Sequence, residues 1–547
     1  MGLFVKKSLA SLIAEANESG DKTLKRVLGP WSLVALGVGV IIGAGLFSIT
    51  GAVAAGYTGP AITLSFVIAA IGCCFAALCY AEFASMIPVA GSAYTYSYAT
   101  MGELIAWIIG WDLVLEYCVA ATTVSISWSR YLVVFLEGFG VQLPHALTAC
   151  PWDGGIVNVP AFLIVALMSV FLIRGTEGSS IFNGIIVFLK VSVVLVFVVL
   201  GWKYIRMENY TPYIPANTGT LGEFGFSGIL RGAAIVFFAF LGFDAVSTAA
   251  QETKNPKRDM PIGILMSLAV TTVLYMLFAH VMTGVVHYSA FDGQAGIAPV
   301  AIAIDHMGQA GADGLIHPDY PWLNRAIVLA ILMGYCSVIM VTLLGQSRVF
   351  LSMSRDGLLP PLFSHIHETY RTPARSNLLF MVLVGLLAAF VPASVAGEMC
   401  SIGTLFAFSL VCAGVLIVRR TMPDAPRSFK TPWVPFVPIG GIITCMVMMV
   451  FLPADTWIRL VLWMLIGLDI YVHYGIKHSK LEPMQAHRKG ETALNLIGIA
   501  LSVLCVITGL WHQQTVGWDE SKVLLGISFV FAFTHMAYFL RRLHHSH

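Results

Sequence analysis

From Ser180 to Gly201 the chain reads SIFNGIIVFLKVSVVLVFVVLG, one of fourteen apolar runs that fix what it can become. A helix needs about 20 mostly apolar residues to cross a bilayer. The runs lie at 31–54, 60–83, 104–135, 158–174, 180–201, 228–250, 261–286, 325–353, 377–392, 397–418, 434–453, 457–476, 493–511 and 522–540, the fourth and ninth being short. Inside lipid each backbone polar group must find its partner within the protein, and for segments of this length that means helices. The expected fold class is an all-α integral membrane protein of about 14 transmembrane helices. Composition agrees: 58% of residues are hydrophobic and 11% charged, where a soluble domain carries about a quarter charged.

Other classes fall away. A net charge of +2 gives no basis for a nucleic-acid partner, and the lipid bilayer is the partner implied. Nine of the ten cysteines lie in apolar segments and only Cys150 in an outer loop, without CxxC or Cys/His spacing, so neither a disulfide framework nor a metal site is expected. The first run is too long for a signal-peptide core and lacks a cleavage pattern, so no signal peptide is expected. FVKKSLASLIAEA near the start reads as a helix lying on the inner leaflet. The terminal LHHSH reads as a flexible tail or tag remnant.

Lysine and arginine set the orientation. With the N-terminus inside, 23 of them fall on the cytoplasmic side and 7 on the other, leaving Lys190 within the membrane. Both termini are expected in the cytoplasm of a multi-pass protein of the cell membrane.

Lys190 is about ten residues from either end of its run, or roughly 15 Å. Its side chain is too short to snorkel from there. It must face the bundle interior. A static brace satisfied by carbonyls is the plainer account; a proton carrier is the functional one, favoured because ionisable groups at this depth usually work. Glu116 in WDLVLEYCVA lies about thirteen residues into the third run, with Asp112 one turn earlier on the same face. Asp244 sits in the sixth run. Glu116 leans functional, while Asp112 and Asp244 read equally well as caps of broken backbone.

Glycine marks the breaks. In ALGVGVIIGAGLFSITGAVAAG, Gly43 and Gly45 lie on different faces, which suits local unwinding better than helix packing. Amides freed at Gly43, Ala44 and Gly45 then start a second half-helix and form an anion site. The sixth run opens at Leu241, Gly242 and Phe243, freeing carbonyls near Phe238, Ala239 and Leu241. Breaks in runs one and six predict two five-helix halves of inverted topology, with the site between them at the midplane. Amides facing carbonyls suit a zwitterion, and an α-amino acid is the economical guest.

The segments VGVIIGAGLFSITG, AEFASMIPVAGSAYTY, WDLVLEYCVA, FFAFLGFDAVSTAAQETKNPKRDMPIGI and GQSRVFLSMSRDGLLP resemble the cationic amino acid transporter family of the amino acid–polyamine–organocation superfamily. The resemblance runs through the first ten spans. It implies a 5+5 inverted-repeat core with broken helices 1 and 6, plus four C-terminal helices, and secondary transport of amino acids by alternating access. The corresponding division is a cytoplasmic segment 1–29, a core 30–420 with repeats at about 30–210 and 225–420, and four more helices with a short tail over 421–547. Carried over by position, Gly43, Ala44 and Gly45 hold the substrate carboxylate, and carbonyls around Ile41, Phe238, Ala239 and Leu241 hold its amino group. Lys190 takes the place that sodium occupies in sodium-coupled relatives, bridging helices one, five and eight. Glu116 matches the family's third-helix acid, a partner for the proton or for a basic substrate. Ala44 replaces the threonine or serine of many relatives. The resemblance also suggests that Asp259 latches a cytoplasmic arginine, and the segment around 287–324 reads as a partly helical outer lid.

The resulting expectation is a proton-coupled permease for cationic or small neutral L-amino acids, with H⁺ and the amino acid as partners and no cofactor. An exchanger and a Na⁺ symporter are the alternatives within transport, the latter opposed by Lys190. A channel would need a filter or a ring of repeated acids, which is missing. An enzyme is not expected, since no HExxH or spaced Ser/His/Asp set occurs. Side-chain preference, oligomeric state and any small accessory subunit stay open.

Overall fold

The computed structural model describes residues 4–8, 11–12, 28–87, 89, 91–174, 177–291, 299–310, 316–370, 372–480, 491–516 and 518–545. Among the described residues, ten stretches of helix are long and apolar enough to cross a membrane. One of them, Pro30–Met86, contains two crossings, and the shorter apolar helices Val159–Arg174, Ala374–Phe390 and Phe436–Val450 complete the set of fourteen. We label these α1 (Pro30–Ile41), α2 (Ile62–Met86), α3 (Glu103–Glu137), α4 (Val159–Arg174), α5 (Glu177–Gly201), α6 (Gly225–Val236), α7 (Pro256–Val285), α8 (Pro321–Arg355), α9 (Ala374–Phe390), α10 (Ala393–Thr421), α11 (Phe436–Val450), α12 (Ala454–Ile470), α13 (Glu491–Val516) and α14 (Trp518–His545). The eleventh joins the fourth and ninth as a short span, because Pro435 and Pro453 bound it.

The two halves repeat in length. α1 and α6 are each 12 residues and each end in a break. α3 and α8 are each 35 residues, and α4 and α9 are 16 and 17. This is the all-α architecture of a five-plus-five transporter core with four helices added.

Loop contacts sort the connections onto two sides. On one, the Lys7 amide bonds Tyr98 O at 3.2 Å, the Lys480 amide bonds Asp356 O at 3.1 Å, and Leu28 pairs with Thr253. This side gathers the N-terminal stretch with the links α2–α3, α6–α7, α8–α9 and α12–α13; we call it the terminal side. On the far side the Phe224 amide bonds Tyr57 O at 2.8 Å, Arg206 bonds Gly284 O at 2.9 Å, and Asn158 bonds Ala389 O at 3.0 Å. Alternation of links between two sides is what fourteen crossings require.

Two local expectations change. Residues 5–8 are extended and pinned to the α2–α3 link, where the Glu103 amide bonds Val5 O at 3.1 Å, so this part does not lie on the leaflet as a helix. Backbone partners outcompete the interfacial arrangement there. The remainder of the predicted helix, apart from Phe4 and residues 11–12, lies outside the described residues, as do the last two residues of LHHSH; Leu543–His545 close α14. Between α7 and α8 a short helix, Pro299–Asp305, and a hairpin of β1 (Gly308–Ala310) with β2 (Ile316–Pro318) form the described part of the predicted lid.

Candidate functional site

Helix α1 stops at Ile41 because Ile42 turns to an extended ψ of 99°. The chain resumes as wide helical turns from Gly45, and the first amide bonding back across the break is that of Leu46, to Gly43 O at 3.2 Å. The amides of Gly43, Ala44 and Gly45 thus stand at the start of a half-helix, where no carbonyl precedes them within it. In the sixth span, tight turns at Phe237–Phe240 lead to Gly242 with φ of +112°. That conformation favours glycine, and a Cβ there would also lie 2.2 Å from Val40. The two breaks touch: a Cβ on Gly45 would lie 2.3 Å from the Ala239 Cα. Glycine at 45 is therefore a condition for the two broken helices to meet.

A narrow, mostly apolar cavity opens where they meet. It is lined by Ile41, Gly43, Ala44 and Gly45 from the first break and Phe238, Leu241 and Gly242 from the second. α3 contributes Glu116, Tyr117, Ala120 and Val124, and α8 contributes Val338 and Thr342. Residues 116, 120 and 124 are successive positions of one helical stripe. Of the expected binding residues, only Ala239 is not in the lining, its backbone being pressed against Gly45 behind the wall.

The acids are placed differently from one another. Glu116 is buried at the cavity wall, with Oε2 unpartnered and the Cys400 thiol donating to its backbone carbonyl at 3.4 Å. Asp244 accepts the Tyr117 hydroxyl at 2.9 Å, which ties α3 to the second break.

Lys190 is outside the cavity, on the other flank of the first break. Its Nζ donates to Gly39 O at 2.6 Å, Ile42 O at 2.9 Å and Ser337 Oγ at 3.1 Å. Three acceptors match the three protons of an ammonium group. The contact joins helices one, five and eight, and Gly334 makes room for it, since a Cβ there would sit 2.7 Å from Lys190 Cε.

Sequence reasoning missed Tyr275. This α7 hydroxyl is 2.6 Å from Ile41 O and 2.7 Å from Ala239 O, so it clips the two broken helices together through carbonyls expected to face a substrate. Nothing in the sequence distinguishes it from an interior aromatic residue. Ser337 of α8 completes the lysine's set of acceptors, and nothing in its own stretch of sequence ties it to Lys190.

Polar ties link the connections on both sides of the bundle. On the terminal side Arg348 pairs with Glu252, and Asp356 accepts from Lys7 Nζ at 2.9 Å and Tyr94 Oη at 2.8 Å. The arginine latch uses Glu252, seven residues before Asp259, which among the described residues makes no ion pair. On the far side Tyr204 bonds Asp319, and the apolar face of Pro299–Asp305 is buried. Among the described residues no group of His, Cys, Asp and Glu is arranged to hold a metal.

Two broken spans that meet at a buried cavity are the local architecture of this chain, and comparison with known proteins places it in a family. The profile of the amino acid permease family matches residues 28–468. The chain is 44% identical over 483 residues to the branched-chain amino acid permease BcaP of Bacillus subtilis (strain 168), covering 88% of this chain and 99% of that one. It is 40% identical over 481 residues to the methylthioribose transporter of the same organism, with 88% and 99% covered. To the vacuolar cationic amino acid transporter 4 of Arabidopsis thaliana it is 34% identical over 434 residues, covering 78% of this chain and 68% of that one. The chain belongs to the amino acid permease family: it is a multi-pass membrane transporter of the amino acid–polyamine–organocation superfamily, not an enzyme.

Proposed function

We propose that this permease takes up small or branched neutral L-amino acids across the cell membrane by alternating access, driven by protons. The observation that carries the reading is the pair of breaks lining one cavity, Gly43–Gly45 from the first span and Phe238 and Leu241 from the sixth. The carboxylate would rest on the amides and the ammonium on the carbonyls. Ala120, Val124 and Val338 give the side chain an apolar wall, which favours a neutral aliphatic substrate; the free oxygen of Glu116 is the feature that would admit a cationic one. The terminal side is assigned to the cytoplasm on the lysine and arginine bias. We assign transport to residues 30–420 as two repeats and a supporting role to 421–547.

Proton coupling rests on Lys190. Gly39 O, Ile42 O and Ser337 Oγ form the oxygen cage a cation needs, and the chain fills it with its own ammonium group. A bound sodium ion there would be repelled. When the lysine loses its proton the cage loses its cation, and the grip between helices one, five and eight loosens.

The test is uptake by purified protein in liposomes, from a panel of neutral and cationic amino acids plus methylthioribose, with and without an inward proton gradient. Concentrative uptake of leucine-like or alanine-like substrates under the gradient is expected, with Lys190→Ala losing the response to the gradient. A sodium requirement, or a preference for methylthioribose over every amino acid, would overturn the reading.

A further inference from the structure

The outer surface of the C-terminal helices carries a patch that contact with acyl chains does not explain. α12 runs on beyond Ile470 through the wide turns Tyr471–Gly475 to Ile476–His478, and α14 ends beside it on the terminal side. Each packs chiefly on α13 rather than on the other, which leaves a cleft between them. The cleft is about 200 Å³ and is lined by Asp469 and His473 from the first and by Thr534, His535 and Tyr538 from the second. His473 and Thr534 are exposed at the surface of the bundle. Ionisable groups within spans rarely face lipid, and a surface meant only for acyl chains would be apolar there.

The walls change character with depth. At the floor His535 Nε2 lies 2.6 Å from Asp469 Oδ2, and its Nδ1 lies 2.7 Å from Phe531 O. Both partners are acceptors, so the ring gives both of its N–H groups and the pair carries no net charge. One turn higher the His473 and Tyr538 rings stack with centroids 5.7 Å apart, and Tyr538 Oη is 3.4 Å from His473 Nε2. A further turn higher stand Lys477 and Arg541, on the same helical stripes as His473 and Tyr538. Both are exposed, and among the described residues neither makes an ion pair. Arg542 donates to Tyr538 Oη at 3.1 Å but is balanced by Glu491 at 2.6 Å. Asp469 to Lys477 spans roughly 12 Å along a helix, and the headgroup layer is about 5–8 Å thick on each side of the hydrocarbon. The cleft therefore runs from the headgroup layer into the upper acyl chains, with two uncancelled positive charges at its mouth and a neutral floor.

A positive bias on the cytoplasmic side accounts for lysine and arginine at helix ends. It does not account for imidazole and phenol groups lining a lipid-facing cleft beneath them. We propose that this cleft binds one anionic phospholipid of the leaflet on the terminal side. A basic pocket between spans on that side suits an anionic headgroup. The phosphate rests between Lys477 and Arg541, where charge-assisted hydrogen bonds hold it. The glycerol esters lie beside His473 and Tyr538, and the acyl chains run along Ile466, Val530 and Phe533, which are exposed. The inference is independent of the transported substrate and of the coupling ion.

The experiment is native mass spectrometry on the full chain stripped of lipid in detergent, titrated separately with phosphatidylglycerol, phosphatidylcholine and inorganic phosphate. The first phosphatidylglycerol should bind at least tenfold more tightly than phosphatidylcholine, and inorganic phosphate should leave no adduct at the same concentrations. Lys477→Gln with Arg541→Gln should weaken phosphatidylglycerol binding at least tenfold. Arg420→Gln with Lys430→Gln, which removes two exposed cations from the end of α10 and the link after it, should stay within about threefold of the wild type. In phosphatidylcholine nanodiscs doped with a photoactivatable phosphatidylglycerol, the wild type should be labelled within 469–480 or 534–545, a readout that needs no variant to fold. Equal affinity for the two lipids, or equal loss in both double variants, would reduce the effect to diffuse surface charge. Labels confined to other helices would place the lipid elsewhere, and binding of phosphate as tight as that of the lipid would make this a free-anion site. Each of these outcomes overturns the proposal.

Discussion

Gly45 shows how one missing methyl group sets the geometry of the cavity between the two breaks. Its Cα faces the Ala239 backbone so closely that a Cβ would lie 2.3 Å from Ala239 Cα and 2.8 Å from its nitrogen. No rotamer can relieve a clash with backbone, so Gly45→Ala must move one broken helix away from the other. Overpacking of this kind typically costs about 1–3 kcal/mol, which the bundle should survive. The proposed carboxylate and ammonium sites, however, would no longer be the right distance apart. Uptake by Gly45→Ala should fall at least tenfold while the purified protein remains monodisperse. Gly56→Ala is the control: its Cβ meets nothing within 4 Å, and its uptake should match the wild type. Equal losses in both variants would mean that helix propensity, not the contact between the breaks, is responsible.

At the scale of the element, each break needs something to hold it at one angle, because its own ladder of backbone bonds is interrupted. Tyr275 does this for both at once. Tyr275→Phe should weaken substrate binding by about tenfold, because losing a hydroxyl that holds buried carbonyls typically costs about 1–3 kcal/mol, while Ile41 O and Ala239 O drift apart. Unchanged affinity in a direct binding assay would show that the breaks hold themselves. The contrast with Lys190 marks how far the sequence could be read. A lysine at mid-depth and glycines two apart violate the rules of an ordinary span, so the breaks, the cavity residues and the cage lysine were legible. A tyrosine obeys those rules, and its role exists only through two carbonyls far away in sequence. The partner of Arg348 was not legible for a similar reason: Glu252 and Asp259 flank one link, and only packing decides that Glu252 meets it. α3 carries two messages on two faces. Glu116 looks toward the cavity, while Trp107 and Trp111 donate to Gly467 O and Trp463 O on α12 at 3.0 and 2.8 Å. Trp111 also stacks on Trp463 at 4.5 Å. The added helices therefore fix the rotation of the helix that presents Glu116.

Across the whole molecule, that role for the C-terminal helices requires a firm joint between them and the ten-helix core, and Glu82 supplies it. At the terminal end of α2, its carboxylate accepts from Arg419 Nη2 at 2.9 Å, Arg427 Nε at 3.1 Å and the Thr431 amide at 2.8 Å. The side chains of Glu82 and Arg427 are 1% and 3% exposed, against 25% for Arg419. Arg427 also donates to four carbonyls between Val418 and Ala425, so it folds the α10–α11 link around itself. Removing one partner of a buried pair costs about 3–5 kcal/mol, because the other is left charged and dry, whereas replacing both by apolar groups is often neutral. Glu82→Leu and Arg427→Met should thus each lower stability sharply in denaturant titrations of the reconstituted protein. The double variant should lose clearly less than the two losses added, with a coupling of at least about 1 kcal/mol. Arg419→Met, at the exposed end of the triad, should cost least. Strict additivity of Glu82→Leu and Arg427→Met would mean that the joint is not a unit, and that the C-terminal helices hold to the core through other contacts, the tryptophans of α3 among them.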